Sequence, residues 1–196
     1  MQRTAHVHRQ TRESQVEVVL NLDGSGRADI ATGIGFLDHL LDSLARHARF
    51  DLTIKAEGDL HVDQHHTAED LGITLGQALN QALAERKGIR RFGDATVPLD
   101  EALSSVAIDL GGRPYASIDL PFRGAMIGGL SSEMIPHLLQ SFAIDGRFAL
   151  HVRLLAGDND HHRAEATFKA LARALDDATR LDPRLGDAVP STKGVI

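Results

Sequence analysis

The chain has 196 residues, of which 42% are hydrophobic and 24% are charged, with a formal net charge of −6 at pH 7. This composition is typical of a globular domain and excludes a disordered chain. The negative charge argues against nucleic acid or an anionic membrane as a partner, and no apolar run is long enough to span a bilayer. Residues Met1 to Arg12 are polar and lack the apolar core of a secretory signal, so we expect a cytoplasmic protein.

The first half of the chain predicts strands and helices in alternation. Apolar residues alternate with polar ones in the predicted strands, and they recur at helical spacing in the predicted helices. Lys87-Gly88 is expected to close the second helix, since glycine commonly follows a helix end. The segments are a strand over Val16 to Leu22, a helix over Phe36 to Leu44, a strand over Phe50 to Ala56 and a helix over Leu71 to Leu83.

The second half repeats the first at an offset of roughly a hundred residues. Its helices are predicted over Ile135 to Phe142 and Phe168 to Leu175, with a strand over Phe148 to Leu154 between them. We therefore predict one α+β domain, 1–196, made of two homologous halves at about 1–92 and 93–196. The matching segments are 39–44 with 137–142, 49–55 with 147–153, 58–59 with 157–158, 65–69 with 161–165 and 75–79 with 171–175.

The sequence has no cysteine but 11 histidines, so any metal ion must be held by His, Asp or Glu. His65 and Glu69 are four residues apart and His66 and Glu69 three apart, so either histidine can share a helix face with the glutamate. Adjacent histidines diverge by about 100° around a helix, which indicates that they serve two different ions. The repeat has the same arrangement at His161, His162 and Glu165.

Two further histidines, His39 and His137, occupy matching places on the preceding helices. With them, the duplicated motif supplies two predicted sites of three histidines and one glutamate each. Imidazole and carboxylate ligands suit Zn²⁺, Mn²⁺, Fe²⁺ or Ni²⁺ and do not suit Ca²⁺. Such sites favour Lewis-acid catalysis.

The metal motifs resemble those of one family, the imidazoleglycerol-phosphate dehydratases of histidine biosynthesis. The resemblance rests on Asp63-Gln-His65-His66-Thr-Ala-Glu69-Asp70, on Asn159-Asp-His161-His162-Arg-Ala-Glu165, on Gly33-Ile-Gly-Phe-Leu-Asp-His39 and on Ser191-Thr-Lys193-Gly. It implies two similar halves, each with a mixed β-sheet and two helices, with the helices packed between the two sheets. It also implies two Mn²⁺ ions per active site and a homo-oligomer, a 24-subunit cage with its sites between subunits.

The reaction implied by the resemblance removes water from imidazole glycerol phosphate to give imidazole acetol phosphate, in L-histidine biosynthesis. No carbonyl lies next to the carbon that loses its proton, so an ordinary enolate cannot form. The resemblance implies instead a metal-bound imidazolate and a diazafulvene-like intermediate. It makes the enzyme a metal-dependent hydro-lyase, a carbon-oxygen lyase.

The resemblance also assigns residues to the substrate. Glu13 matches a family residue near the reacting carbons and is an acid/base candidate. The expected catalytic set is Glu13, His65, Glu69, His161 and Glu165. The matching phosphate-contacting positions are Arg91, Arg113, Lys169, Ser191 and Lys193.

Two alternatives stay open at this point. A dinuclear metallohydrolase would also use two ions, but a carboxylate normally bridges them at ~4 Å, and the sequence has no Asp-rich bridging motif. A metal-storage or cage-forming structural protein would not need a convergent phosphate cluster, whereas Arg91, Arg113 and Lys193 are present.

Overall fold

A computed structural model describes residues 3–194 and Ile196. The first half contains three strands, a helix, a fourth strand and a second helix. These elements are β1 (Thr4–Gln10), β2 (Ser14–Asn21), β3 (Ala28–Ala31), α1 (Gly35–Ala48), β4 (Asp51–Gly58) and α2 (His65–Leu83). The second half comprises β5 (Phe92–Leu99), β6 (Ala102–Asp109), β7 (Tyr115–Asp119), β8 (Met126–Ile127), β9 (Leu130–Ser131), α3 (Met134–Asp145), β10 (Ala149–Ala156) and α4 (Asp160–Thr179).

The two halves have the same sheet topology. One four-stranded sheet has the order β1-β2-β4-β3 and the other has the order β5-β6-β10-β7. In each sheet the first three strands pair antiparallel, and the last strand pairs parallel to its neighbour. Both sheets are therefore mixed, and the predicted α+β fold of two similar halves is confirmed.

The four helices form the layer between the sheets. Helix α2 packs on β1 and β2 and against α3, whereas α4 packs on β5 and β6 and against α1. The predicted alternation in β2 is observed, since Val16, Val18 and Leu20 are at most 2% exposed. Among the residues that the structure describes, no helix has both the length and the hydropathy of a membrane span.

Helix α2 ends at Leu83, the last apolar position predicted for it, but Lys87-Gly88 does not close the helix as expected. Ala84 and Arg86 both have positive φ, at 47° and 55°. The buried guanidinium of Arg86 donates to the carbonyls of Gly146, Arg147 and Leu110. These long-range bonds hold the chain away from the helical path, a constraint that local sequence does not reveal.

The second half contains one segment that the first half lacks. Residues 120–133 join β7 to α3 and include the small antiparallel β8–β9 hairpin. In the first half, which is described from residue 3 onward, only residues 32–34 separate β3 from α1. We call residues 120–133 the strap.

Two glycines allow α2 and α3 to approach each other closely. A Cβ added to Gly72 would lie 2.7 Å from the carbonyl oxygen of Leu138. A Cβ added to Gly76 would lie 2.7 Å from the carbonyl oxygen of Phe142 and 2.6 Å from the amide nitrogen of Gly146. These contacts are with backbone atoms, which cannot move aside without moving α3.

We expect Gly76→Ala to destabilise the protein by ~1–3 kcal/mol, the usual range for overpacking a close contact. The matched control is Gly35→Ala in α1, where the added Cβ has nothing within 4 Å, and its effect should stay within ~0.5 kcal/mol. The measurement is urea unfolding of both variants at one protein concentration, because assembly couples stability to concentration. Equal stability of Gly76→Ala and the parent chain would refute the close-packing argument.

Candidate metal centre

The paired histidines lie at the start of α2 and α4. The side chain of Asn159 caps α4 by accepting from the backbone N–H of His161 at 2.9 Å and of His162 at 3.4 Å. Asp63 accepts from the backbone N–H of His65 at 2.8 Å. All three bonds satisfy amides that a helix leaves free at its first turn, so they also fix the backbone that carries the histidines.

The first metal-type cluster joins α1 to α4 and consists of His39, His161 and Glu165. Its three ligand atoms all lie within 4.8 Å of one another. The Nε2 atoms of His39 and His161 lie 3.2 and 3.1 Å from the same carboxylate oxygen of Glu165. We refer to it as the α1/α4 cluster.

The second cluster joins α3 to α2 and consists of His137, His65 and Glu69, again with all ligand atoms within 4.8 Å. His137 Nε2 lies 3.5 Å from Glu69 Oε1, and His65 Nε2 lies 4.0 Å from Glu69 Oε2. His137 Nε2 is buried and has no hydrogen-bond partner among the described residues. We refer to this group as the α2/α3 cluster.

The other member of each histidine pair points away from its cluster. The rings of His65 and His66 have centroids 6.0 Å apart and an interplanar angle of 88°. The rings of His161 and His162 are related in the same way, at 6.2 Å and 89°. A single chain therefore brings together two of the three histidines expected at each site, and His66 and His162 face elsewhere.

Carboxylates orient these two outlying histidines. His66 Nδ1 lies 3.0 Å from Asp59 Oδ2, and His162 Nδ1 lies 2.8 Å from Glu101 Oε2. The hydrogen bond that His66 donates to Asp59 raises the pKa of His66, and the one that His162 donates to Glu101 raises the pKa of His162. A carboxylate is the usual hydrogen-bond partner of the ring nitrogen that does not bind the metal. A carboxylate at Nδ1 therefore leaves Nε2 as the ligand atom.

Sequence reasoning did not identify Asp59 or Glu101. Asp59 could have been noticed, because it belongs to a segment that recurs in the repeat. Glu101 lies in the β5–β6 turn and reaches His162 across 61 residues of sequence, so no local pattern predicts it. Glu13 occupies the corresponding β1–β2 turn, with its Oε2 4.0 Å from His66 Nε2.

Glu165 is held ionised by its surroundings. Burial of the carboxyl group opposes ionisation, but hydrogen bonds from Lys169 and His39 outweigh it and lower the pKa of Glu165 to about 2. Lys169 Nζ lies 2.7 Å from Glu165 Oε1. The structure thus places Lys169 beside the α1/α4 cluster and not with the other predicted phosphate-contacting residues.

The four other predicted phosphate-contacting residues lie together around one pocket of about 320 Å³. Arg91 is already engaged there, because it donates to both carboxylate oxygens of Asp109 and to the carbonyl of Pro190. Arg113 and Lys193 are exposed and form no ion pair with other described residues. The pocket is lined by Arg91, Gly111, Arg113, Ser191, Thr192, Lys193 and Ile196.

The donor sets fit a divalent metal ion. Each cluster offers two imidazoles and one carboxylate, which suits Mn²⁺, Fe²⁺, Ni²⁺ or Zn²⁺. A buried imidazole nitrogen without a partner, as at His137, is costly in a folded protein, and a metal ion would satisfy it. The pairing of α1 with α4 and of α3 with α2 therefore makes two related metal-type sites in one chain.

Comparison with known proteins identifies the family. A family model described as imidazoleglycerol-phosphate dehydratase matches residues 32–175. Relatives of that name include one from a Roseiflexus species, 59% identical over 194 residues (99% of this chain, 98% of the relative). Another, from Granulibacter bethesdensis, is 55% identical over 196 residues and covers 100% of both chains.

Solved structures of this family share the fold. Imidazoleglycerol-phosphate dehydratase from Staphylococcus aureus superposes with a TM-score of 0.83 at 33% identity, covering 91% of this chain and 99% of that one. The Pyrococcus furiosus structure has a TM-score of 0.83 at 35% identity, covering 97% and 100%. The chain therefore belongs to the imidazoleglycerol-phosphate dehydratase family.

Proposed function

We propose that this chain removes water from imidazole glycerol phosphate to give imidazole acetol phosphate, a step of L-histidine biosynthesis. The observation that carries the proposal is the presence, on one chain, of two duplicated His-His-Glu clusters and a separate basic pocket. The clusters suit an imidazole ring with its two nitrogens, and the pocket suits a phosphate. Family membership supports the same reaction.

The proposed cofactor is Mn²⁺, with two ions per active site. His39, His161 and Glu165 would hold one ion, and His65, Glu69 and His137 the other. When bound, such ions supply Lewis acidity that stabilises negative charge on the imidazole ring, as expulsion of the neighbouring hydroxyl requires. Lys169 and the low pKa of Glu165 keep that ligand carboxylate ionised.

Each site needs a third histidine, and we propose that a neighbouring subunit provides it. His66 and His162 are held with Nε2 directed away from their own clusters by Asp59 and Glu101. In a closed homo-oligomer these nitrogens can complete the sites of other copies. The orientation of these two histidines supports sites that lie between subunits of a homo-oligomer, whereas the 24-subunit cage and a cytoplasmic location remain predictions.

We propose that the phosphate binds to the basic pocket through the two cations without ion-pair partners there, Arg113 and Lys193. Charge-assisted hydrogen bonds to phosphate are among the strongest in proteins. Arg91, bound to Asp109 and Pro190, would help to hold the C-terminal segment against the pocket. Ser191 lines the same wall.

Glu13 is the proposed acid/base group. It lies in the β1–β2 turn, its carboxylate is 54% exposed, and its Oε2 is 4.0 Å from His66 Nε2. A group so placed can reach a substrate held at the ion that His66 binds. Its role would be to take or return a proton at the reacting carbons.

A dinuclear metallohydrolase is less well supported by the geometry. Among the described residues, no carboxylate belongs to both clusters, since Glu165 serves one and Glu69 the other. A metal-storage protein is also less well supported, because storing metal ions does not require a basic pocket.

The experiment that tests the proposed function is a dehydratase assay combined with elemental analysis of the purified protein. We expect two divalent ions per chain, loss of activity on chelation, and recovery on adding Mn²⁺. Full dehydratase activity after complete chelation would overturn the metal assignment. Absence of dehydratase activity in protein that holds two ions would overturn the reaction.

Lys193→Ala tests the phosphate pocket. We expect it to weaken binding of inorganic phosphate and of substrate by ~1–3 kcal/mol, the range for a charge-assisted hydrogen bond, while metal content stays unchanged. The matched control is Lys87→Ala, because Lys87 pairs with Glu85 and lies outside the pocket. Calorimetric titration measures both variants, and an unchanged phosphate affinity in Lys193→Ala would remove this residue from the site.

A further inference from the structure

The strap, residues 120–133, interrupts the symmetry of the two halves close to both clusters. It is the main insertion in the second half, and nothing in the repeat predicts it. Its turns are closed by its own bonds, from Ser132 N to the carbonyl of Ala125 at 2.9 Å and from Ser132 Oγ to the carbonyl of Gly124 at 2.7 Å. The segment should therefore move as one body.

Asp160 fastens the first end of the strap. Its Oδ2 accepts from the backbone N–H groups of Arg123 and Gly124, both at 2.8 Å. Its Oδ1 accepts from Arg163, which also donates to the carbonyl of Pro121 at 3.2 Å. Asp160 directly precedes His161 of the α1/α4 cluster.

Gln64 fastens the other end. Its amide nitrogen donates to the carbonyl of Gly129 at 2.6 Å, and its amide oxygen accepts from the backbone N–H of Ser131 at 2.8 Å. Gln64 directly precedes His65 of the α2/α3 cluster. Because His65 and His161 correspond in the repeat, Gln64 and Asp160 are equivalent positions that hold opposite ends of one segment.

The body of the strap also contacts the surroundings of both clusters. At Gly128, where φ is 52°, a Cβ would lie 3.3 Å from the side chain of Phe36. The Phe36 ring packs on His161 with a centroid distance of 4.8 Å. Met126, near the start of the hairpin, lines a cleft of about 370 Å³ together with His65.

We propose that Gln64 and Asp160 are positioning residues that fasten the strap across both metal clusters, so that the strap couples the binding of metal at one cluster to binding at the other. The proposal rests on the proposed function in that it takes the clusters to bind divalent ions. Loosening either anchor frees a body that packs beside His65 and, through Phe36, beside His161. Loss of either anchor should therefore change metal binding at both clusters.

The test compares Gln64→Ala with Arg123→Ala. Arg123→Ala removes only the Arg123–Asp158 ion pair, whose side chains are 64% and 77% exposed, and it keeps the backbone bonds to Asp160. The amide hydrogen exchange of the strap is measured in metal-free protein, and the same preparations are then titrated with Mn²⁺ by calorimetry. Gln64→Glu, which keeps the acceptor for Ser131 but loses the donor to Gly129, is the partial-rescue variant and serves if Gln64→Ala does not fold.

We expect Gln64→Ala to weaken the binding of both ions about tenfold, as for the loss of one or two hydrogen bonds, and to speed exchange at the distant amides of Arg123 and Gly124. Gln64→Glu should fall between Gln64→Ala and the parent chain, and Arg123→Ala should match the parent. The coupling would be overturned if Gln64→Ala weakened Mn²⁺ binding only at the α2/α3 cluster, or if hydrogen exchange at Arg123 and Gly124 were unchanged. Because exchange is measured without metal, it separates failure of the strap from failure of the proposed function.

Discussion

Both candidate metal sites depend on two helices meeting closely enough for a histidine from each to approach one carboxylate. A His-x-x-x-Glu spacing puts two ligands on one face of α2 or α4, but the other histidine must come from the facing helix. Between α2 and α3, Gly72 and Gly76 allow this approach, since any Cβ there would strike the backbone of α3. The position of His137 relative to Glu69 follows from that packing.

Duplication explains why the chain has two such clusters, and the departures from symmetry explain why they are not equivalent. The topology, the paired histidines and the glutamates repeat between the halves. The carboxylates that accept hydrogen bonds from His66 and His162 do not repeat between the halves, because Asp59 follows β4 whereas Glu101 lies in a hairpin turn. The strap adds a second difference, since it is present in one half and is anchored beside both clusters.

The sequence predicted the repeat from its matching segments, and it predicted the four helices, the strands β2, β4 and β10 and the divergence of adjacent histidines from local periodicity. It assigned no bounds to the other strands. It did not predict which helix faces which, so the pairing of His39 with Glu165 and of His137 with Glu69 emerged only from tertiary packing. Nor did the sequence predict the ion pair between Lys169 and Glu165, and the expected contact of Lys169 with phosphate stays a prediction. Arg86, whose long-range bonds accompany the early end of α2, also acts through contacts distant in sequence.

We propose that each chain holds two ions, one at each cluster, and that His65 and His66 serve different ions. Anomalous diffraction at the manganese edge, from crystals of the Mn²⁺-loaded protein, measures this most directly. We expect one peak at His39, His161 and Glu165 and a second at His65, Glu69 and His137. Each ion should also be bound by a His66 or a His162 from another copy. A single peak per chain, or one ion bound by both His65 and His66 of the same chain, would contradict it.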